Sequence, residues 1–290
     1  METLVQHLVN GVILGGTYAL LGIGLTLIFG IMNVVNFAHG EFYTLGAFAA
    51  YFFLARLGWN FYLGVAAAIG VGIALGALCE RLILRPLRRE SIDTVMLVMI
   101  GVWIFMQNSE LLLWGGIPQA IPHPFSLRPL TIGPIHVTTI RLFVFGVALC
   151  LIAGSHLAIQ RTKLGKAMRA TFQDREVAAL MGVNIHRIHT VTFAFGSALA
   201  ATAGALLGPI FLVYPSMGDL ASLKAFSVVI MGGLGNFFGA TFGGLMLGVA
   251  ESLGAGYISS GYKDGIGFLM IILVLLFRPA GLFGRRDRLG

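Results

Sequence analysis

Long apolar runs follow one another along the whole chain, at residues 9–29, 61–84, 92–114, 141–159, 191–213, 222–254 and 266–277. A helix needs about 20 apolar residues to cross the hydrocarbon of a bilayer, and most of these runs reach that length. The 290 residues are 57% hydrophobic and only 11% charged. An average soluble domain carries about 25% charged residues, so this chain lacks the polar surface to face water on all sides. The strict alternation of a membrane β-barrel is absent. The expected fold is therefore an all-α polytopic membrane protein, a bundle of about eight to ten transmembrane or broken helices. The first residues, METLVQHLVN, lack the basic region and cleavage site of a signal peptide. The first run is thus expected to remain as a span.

The interruptions between the runs set the topology. Residues 161–190 form the longest polar stretch and hold six of the 19 Lys and Arg residues, with Asp174, Glu176, His186 and His189. The pattern of Ala167, Met168, Ala170, Phe172, Ala178, Ala179, Leu180 and Met181 predicts a short amphipathic helix, with Gly182 as its stop. Basic clusters at 81–89, 161–187 and 278–288 together hold 14 of the 19 Lys and Arg residues. The positive-inside rule places all three in the cytoplasm. It also makes the net charge of +7 a topological signal rather than a nucleic-acid-binding one. The proline-rich loop at 115–140 is then external, and the alternation in LRPLTIGPIHVTTI predicts a short strand or hairpin. The run at 222–254 is too long for one straight crossing and is expected to break at GGLGN, residues 232–236.

GIMNVVNFAHGEF, residues 30–42, puts Asn33, Asn36, His39 and Glu41 between two apolar runs. Two readings are open. The stretch is either a plain cytoplasmic turn, or a discontinuous helix whose freed backbone and side chains line a substrate path. In the second, a helix N-terminus suits the carboxylate of a small zwitterion and an acidic group its amine. The first reading adds a crossing and puts the N-terminus outside; the second can put it inside. Asp219 with Lys224, and Lys263 with Asp264, read as solvated loop charges. Glu80 reads as an interfacial ion pair beside Arg81, and Glu251 sits in an apolar run with no partner named by the sequence. Cys79 and Cys150 read as buried small hydrophobes. No metal-ligand spacing, no cofactor motif, no Walker A loop and no nucleophile–base set occurs. The chain moves or admits something and is not an enzyme; a stand-alone channel is the reading from another class.

Four stretches carry a resemblance: residues 11–48, the loop LGKAMRATFQDREVAALMGVN, the segment VVIMGGLGNFFGATFGG and the tail motif RPAGLFG. In these the chain resembles permease subunits of branched-chain amino-acid ABC importers, a family that also includes urea and short-amide permeases. The resemblance implies one transmembrane permease domain over 1–290, in a bacterial inner membrane, without cofactors. It implies a cytoplasmic coupling helix that docks into an ATP-binding subunit. The family pattern, Glu-Ala-Ala then three residues and Gly, falls here on Glu176, Ala178, Ala179 and Gly182, with Val177 in place of one alanine; Ala170 belongs to the same matched loop. The implied partners are a second homologous permease, two ATP-binding subunits and an external substrate-binding protein. The implied cargo is a small molecule, an amino acid or an amide.

Overall fold

The computed structural model describes residues 2–126, 129–132 and 135–284. Arg128 and the tail residues Arg285, Arg286 and Arg288 lie outside them. Eleven α-helices and one hairpin are present among the described residues: α1 (Glu2–Met32), α2 (His39–Tyr51), α3 (Phe61–Cys79), α4 (Ile92–Trp114), β1 (Pro129–Ile132), β2 (Ile135–Thr138), α5 (Thr139–Arg161), α6 (Lys163–Gln173), α7 (Arg175–Leu180), α8 (Ile185–Leu207), α9 (Met217–Gly232), α10 (Phe237–Tyr257) and α11 (Lys263–Phe277). Seven stretches are long and apolar enough to cross a membrane. At 1.5 Å per residue, the 23 residues of α4 span about 35 Å. The expected hairpin is antiparallel, with Leu130 opposite Val137.

Local chemistry sets the helix ends. Ser91, Asn60, Asn184 and Asn236 each accept a backbone N–H at the start of α4, α3, α8 and α10, filling orphan donors of the first turn. α4 stops at Gly115, whose φ of 77° favours glycine. The apolar run at 191–213 is helical from Ile185 to Leu207 instead, because Asn184 caps it early and Thr190, in its second turn, donates to Glu80. The run at 222–254 breaks at GGLGN as expected, but its first half, α9, begins earlier, at Met217.

The chain folds as two compact units. One comprises Met1–Thr26, Pro124–Ile152 and Lys224–Gly290, the other Leu27–His123 and Ala153–Leu223. In the first, α1 lies against α10. Cβ atoms added at Gly11, Gly15, Gly244 or Gly248 would run into the facing backbone, so these glycines set how closely the two helices approach. The tail motif folds back on the GGLGN turn. Leu282 N–H donates to Met231 O at 2.8 Å and Asn236 Nδ2 donates to Phe283 O at 2.9 Å.

In the second unit, α8 is buried along most of its length and packs on both α2 and α3. Gly46 and Gly204 face Ala201 and the Tyr43 carbonyl across the α2–α8 crossing. α4 stands on the other side of α2, where Phe48 stacks on Trp114 at 4.8 Å. A two-residue bridge between Gln119 and Val213, both bonds 2.8 Å, ties the loop after α4 to the loop after α8.

Candidate functional site

α1 ends at Met32, where Asn33 takes the left-handed φ of 53° and its N–H closes on Phe29 O. Residues 33–38 are not helical, and α2 starts at His39. The stretch is thus a break between two helices, and it is largely buried: Asn36, His39 and Glu41 are all 0% exposed. Asn33 is exposed and stands apart, in a cavity of about 140 Å³ with Arg88, Arg175 and His189. Neither side-chain polar atom of Asn36 has a hydrogen-bond partner. The structure therefore keeps His39 and Glu41 together at one helix start and separates Asn33 from them.

The start of α2 meets the start of α9. Gly40 and Gly218 touch, and a Cβ on either would strike the other's carbonyl. Ala38 offers no side-chain cap to α2. Ser222 supplies one from across the crossing: its Oγ accepts from Gly40 N at 2.9 Å and donates to Phe37 O at 3.3 Å. Asp219 sits one turn into the contact and is no solvated loop charge. It accepts from the Trp103 indole N–H at 3.0 Å and from Gln107 Nε2 at 2.8 Å. Trp103 and Gln107 lie near the middle of α4, so the crossing is deep along that span. Glu41 lies close enough to Asp219, and Glu110 of α4 close enough to Glu41, for each pair of carboxyl groups to repel. Three acidic groups thus converge at membrane depth, where an ionisable group marks a partner or a path.

Sequence reading missed Asp219, Ser222 and Glu110. A signal for the first two was available as an internal repeat. HGEFYTLGAF at 39–48 recurs as MGDLASLKAF at 217–226, keeping Gly, Leu, Ala and Phe in place and exchanging Glu for Asp and Thr for Ser. The turns that follow also correspond: Gly58 and Gly235 both have positive φ, and Asn60 and Asn236 both cap the next helix. Glu110 had no such signal.

The expected single helix over the polar loop is two, α6 and α7, divided at Asp174. The Asp174 carboxylate accepts from the N–H groups of Glu176 and Val177, both at 2.9 Å. Asp174 is in the β region, so it ends one helix and starts the next. Ala170 therefore lies on α6, and Glu176, Ala178 and Ala179 on α7. Gly182, at φ 85°, follows as the stop. α6 is amphipathic and buries Gly165, Met168 and Thr171. α7 buries Ala178 and leaves Leu180 86% and Met181 81% exposed. At the base of the loop, Glu80 pairs with Arg88 rather than Arg81, and accepts from Thr190 Oγ1 at 2.5 Å.

In the other unit, Lys224, Lys263 and Asp264 are not free loop charges either. Lys224 bonds Glu251, which is 0% exposed, and reaches Asp264 at 2.6 Å. Tyr18 donates to the same Glu251 at 3.0 Å, and Lys263 stands 3.7 Å away. Cys79 is buried as expected, whereas Cys150 is exposed on α5.

The comparisons agree with this architecture. The family described as "Branched-chain amino acid transport system / permease component" matches residues 7–275. The high-affinity branched-chain amino acid transport system permease protein BraD of Pseudomonas aeruginosa is 39% identical, over 97% of this chain and 96% of its own length. The corresponding LivH protein of Escherichia coli K12 is 37% identical over the same shares. Among solved structures, PsaBC from Streptococcus pneumoniae in complex with Fab has the same fold at a TM-score of 0.50. It is 14% identical and the match covers 93% of this chain and 90% of that one. Identity at this level over nearly the full length leaves one conclusion: the chain is a multi-pass membrane protein of the branched-chain amino acid transport permease family.

Proposed function

We propose that this chain forms the translocation path of an ABC importer for branched-chain amino acids, in a bacterial inner membrane, driven by ATP hydrolysis in partner subunits. The observation that carries the reading is α7. A six-residue helix in the most polar loop of the chain points Leu180 and Met181 almost fully into solvent. Large apolar side chains presented this way mark a protein contact, and α7 carries the Glu176-to-Gly182 spacing of a coupling helix. Arg175, at its start, lines the same cavity as Asn33 at the end of α1. An ATP-binding subunit docked on α7 is then one side chain away from the break in the membrane helices.

The topology follows from the same reading. With α2 and α9 counted as crossings beside the seven long spans, nine crossings put the basic clusters 81–89, 161–187 and 278–288 together in the cytoplasm. The N-terminus and the 115–140 loop are then outside. A second homologous permease, two ATP-binding subunits and an external binding protein complete the system. Asn36, His39 and Glu41 lie along the path, with Asn33 at its cytoplasmic end. Rocking of the two permeases against one another alternates access to it.

The test is reconstitution in proteoliposomes with those partners. Uptake of leucine, isoleucine and valine that requires ATP and the binding protein is the expected result. Uptake of urea in place of amino acids, or flux without ATP, would overturn the assignment.

A further inference from the structure

α2, α3 and α4 line an apolar groove of about 330 Å³, open along one side and walled by Leu45, Leu78, Cys79, Val102 and Met106. One acidic side chain, Glu110, lines it. Glu110 is 2% exposed, and neither of its carboxylate oxygens has a hydrogen-bond partner. Among the described residues, none of the ion pairs involves Glu110 or Glu41. Glu41 lies close enough to Glu110, and Asp219 to Glu41, for each pair to repel, and Asp219 already takes the donors of Trp103 and Gln107.

A groove of this size sits at the small end of small-molecule pockets, about 300–1,000 Å³. Its chemistry is two-part: aliphatic and aromatic walls, and a buried carboxylate with open acceptor sites. An acyl chain would fill the walls but offer the Glu110 carboxyl no hydrogen-bonding partner, leaving a buried polar group unsatisfied. A neutral alkane-like ligand fails in the same way. A ligand that satisfies both parts carries an aliphatic group and a cationic donor a few bonds apart, as an aliphatic α-amino acid does.

We propose that this groove is a transit site for the substrate, with its aliphatic side chain between α3 and α4 and its α-ammonium on Glu110. This deepens the importer reading above and rests on it. Glu41 and Asp219 continue the acidic line from the groove to the α2–α9 crossing, so the ammonium passes from one carboxylate to the next. The walls select against charged or strongly polar side chains, which find no partner there.

The experiment uses the complete transporter in proteoliposomes, with radiolabelled leucine as the probe. Glu110→Gln should reduce leucine carried per ATP hydrolysed at least tenfold, while leucine-loaded binding protein still stimulates ATP hydrolysis. Glu110→Asp should restore part of the loss. Val102→Trp, which fills the groove without touching the charge, should give the same uncoupling. In a Cys150→Ser background, Cys79 is the sole thiol of this chain, and its labelling, read on the separated permease band, reports on the groove wall. Leucine should slow its labelling by N-ethylmaleimide several-fold in the operating transporter, and Glu110→Gln should remove that protection.

Wild-type leucine transport by both Glu110→Gln and Val102→Trp would overturn the groove alone. So would Cys79 labelling that is indifferent to leucine, the result expected of a groove filled by lipid. Loss of subunit assembly in Glu110→Gln, with normal coupling in Val102→Trp, would overturn it in favour of a pairing between Glu110 and the second permease. Failure of the unaltered transporter to carry leucine at all would overturn the importer reading itself.

Discussion

Replacing both Leu180 and Met181 with aspartate should detach the ATP-binding subunit from an otherwise intact permease. The two side chains are 86% and 81% exposed, so they contribute almost nothing to the stability of the isolated fold. Exposed substitutions of this kind usually stay within about 0.5 kcal/mol. In a docked complex the same side chains leave water. Full burial of a Leu or Met side chain is worth about 1.5–3 kcal/mol, so the pair contributes about 3–6 kcal/mol to docking. At 1.4 kcal/mol per tenfold, their loss weakens docking by a factor of about 10² to 10⁴, before the repulsion of two buried carboxylates is added. α7 itself should persist, since Asp174 still caps its start and Ala178 still packs beneath it. The assay is co-purification of ATP-binding subunits on a tagged permease, read beside thermal unfolding of the permease in detergent and leucine uptake. Ala178→Asp is the contrasting variant: it puts a charge at a 4% exposed position and should lower the permease's own stability. If the double aspartate variant retains its ATP-binding subunits in full and transports at the wild-type rate, α7 is not the docking element.

Four further outcomes follow from particular contacts. Ala179→Arg, on the exposed part of α7, should abolish transport and ATPase coupling while membrane insertion is unaffected; unchanged uptake argues against docking at that residue. Glu41→Gln and His39→Ala should each impair uptake with assembly intact, and normal transport kinetics in both would make the break before α2 purely structural. Gly204→Ala drives a methyl into the Tyr43 carbonyl and should cost about 1–3 kcal/mol, whereas Gly101→Ala meets nothing within 4 Å and should be neutral; equal melting temperatures would remove the α2–α8 approach as the reason for Gly204. Lys224→Met leaves the buried Glu251 carboxylate without its main partner and should cost about 3–5 kcal/mol, much of it recovered when Glu251→Gln is added. A single variant as stable as wild type would mean the cluster does not hold α9, α10 and α11 together.

Hydropathy acts locally and along one dimension, and what depends on it was legible without coordinates. The run at 92–114 coincides with α4, and the run at 61–84 with α3 and the turn that extends it. Breakers and caps are equally local: the interruptions at Asn33 and at GGLGN, the stop at Gly182 and the hairpin in the proline-rich loop all stand where residue chemistry puts them. Charge is different, because its meaning depends on what lies opposite. Lys224 finds its partners 27 and 40 residues away on other helices, and Asp219 finds donors more than 100 residues back on α4. By sequence neighbourhood these were solvated loop charges; by tertiary structure they are a buried ion cluster and the hub of a helix crossing. Glu110 is one carboxylate within an apolar run, and nothing in that run says which way it points. Only the packing of α2, α3 and α4 turned it into part of a groove, because burial in a bilayer protein is decided by the neighbouring helix and not by the residue's own run.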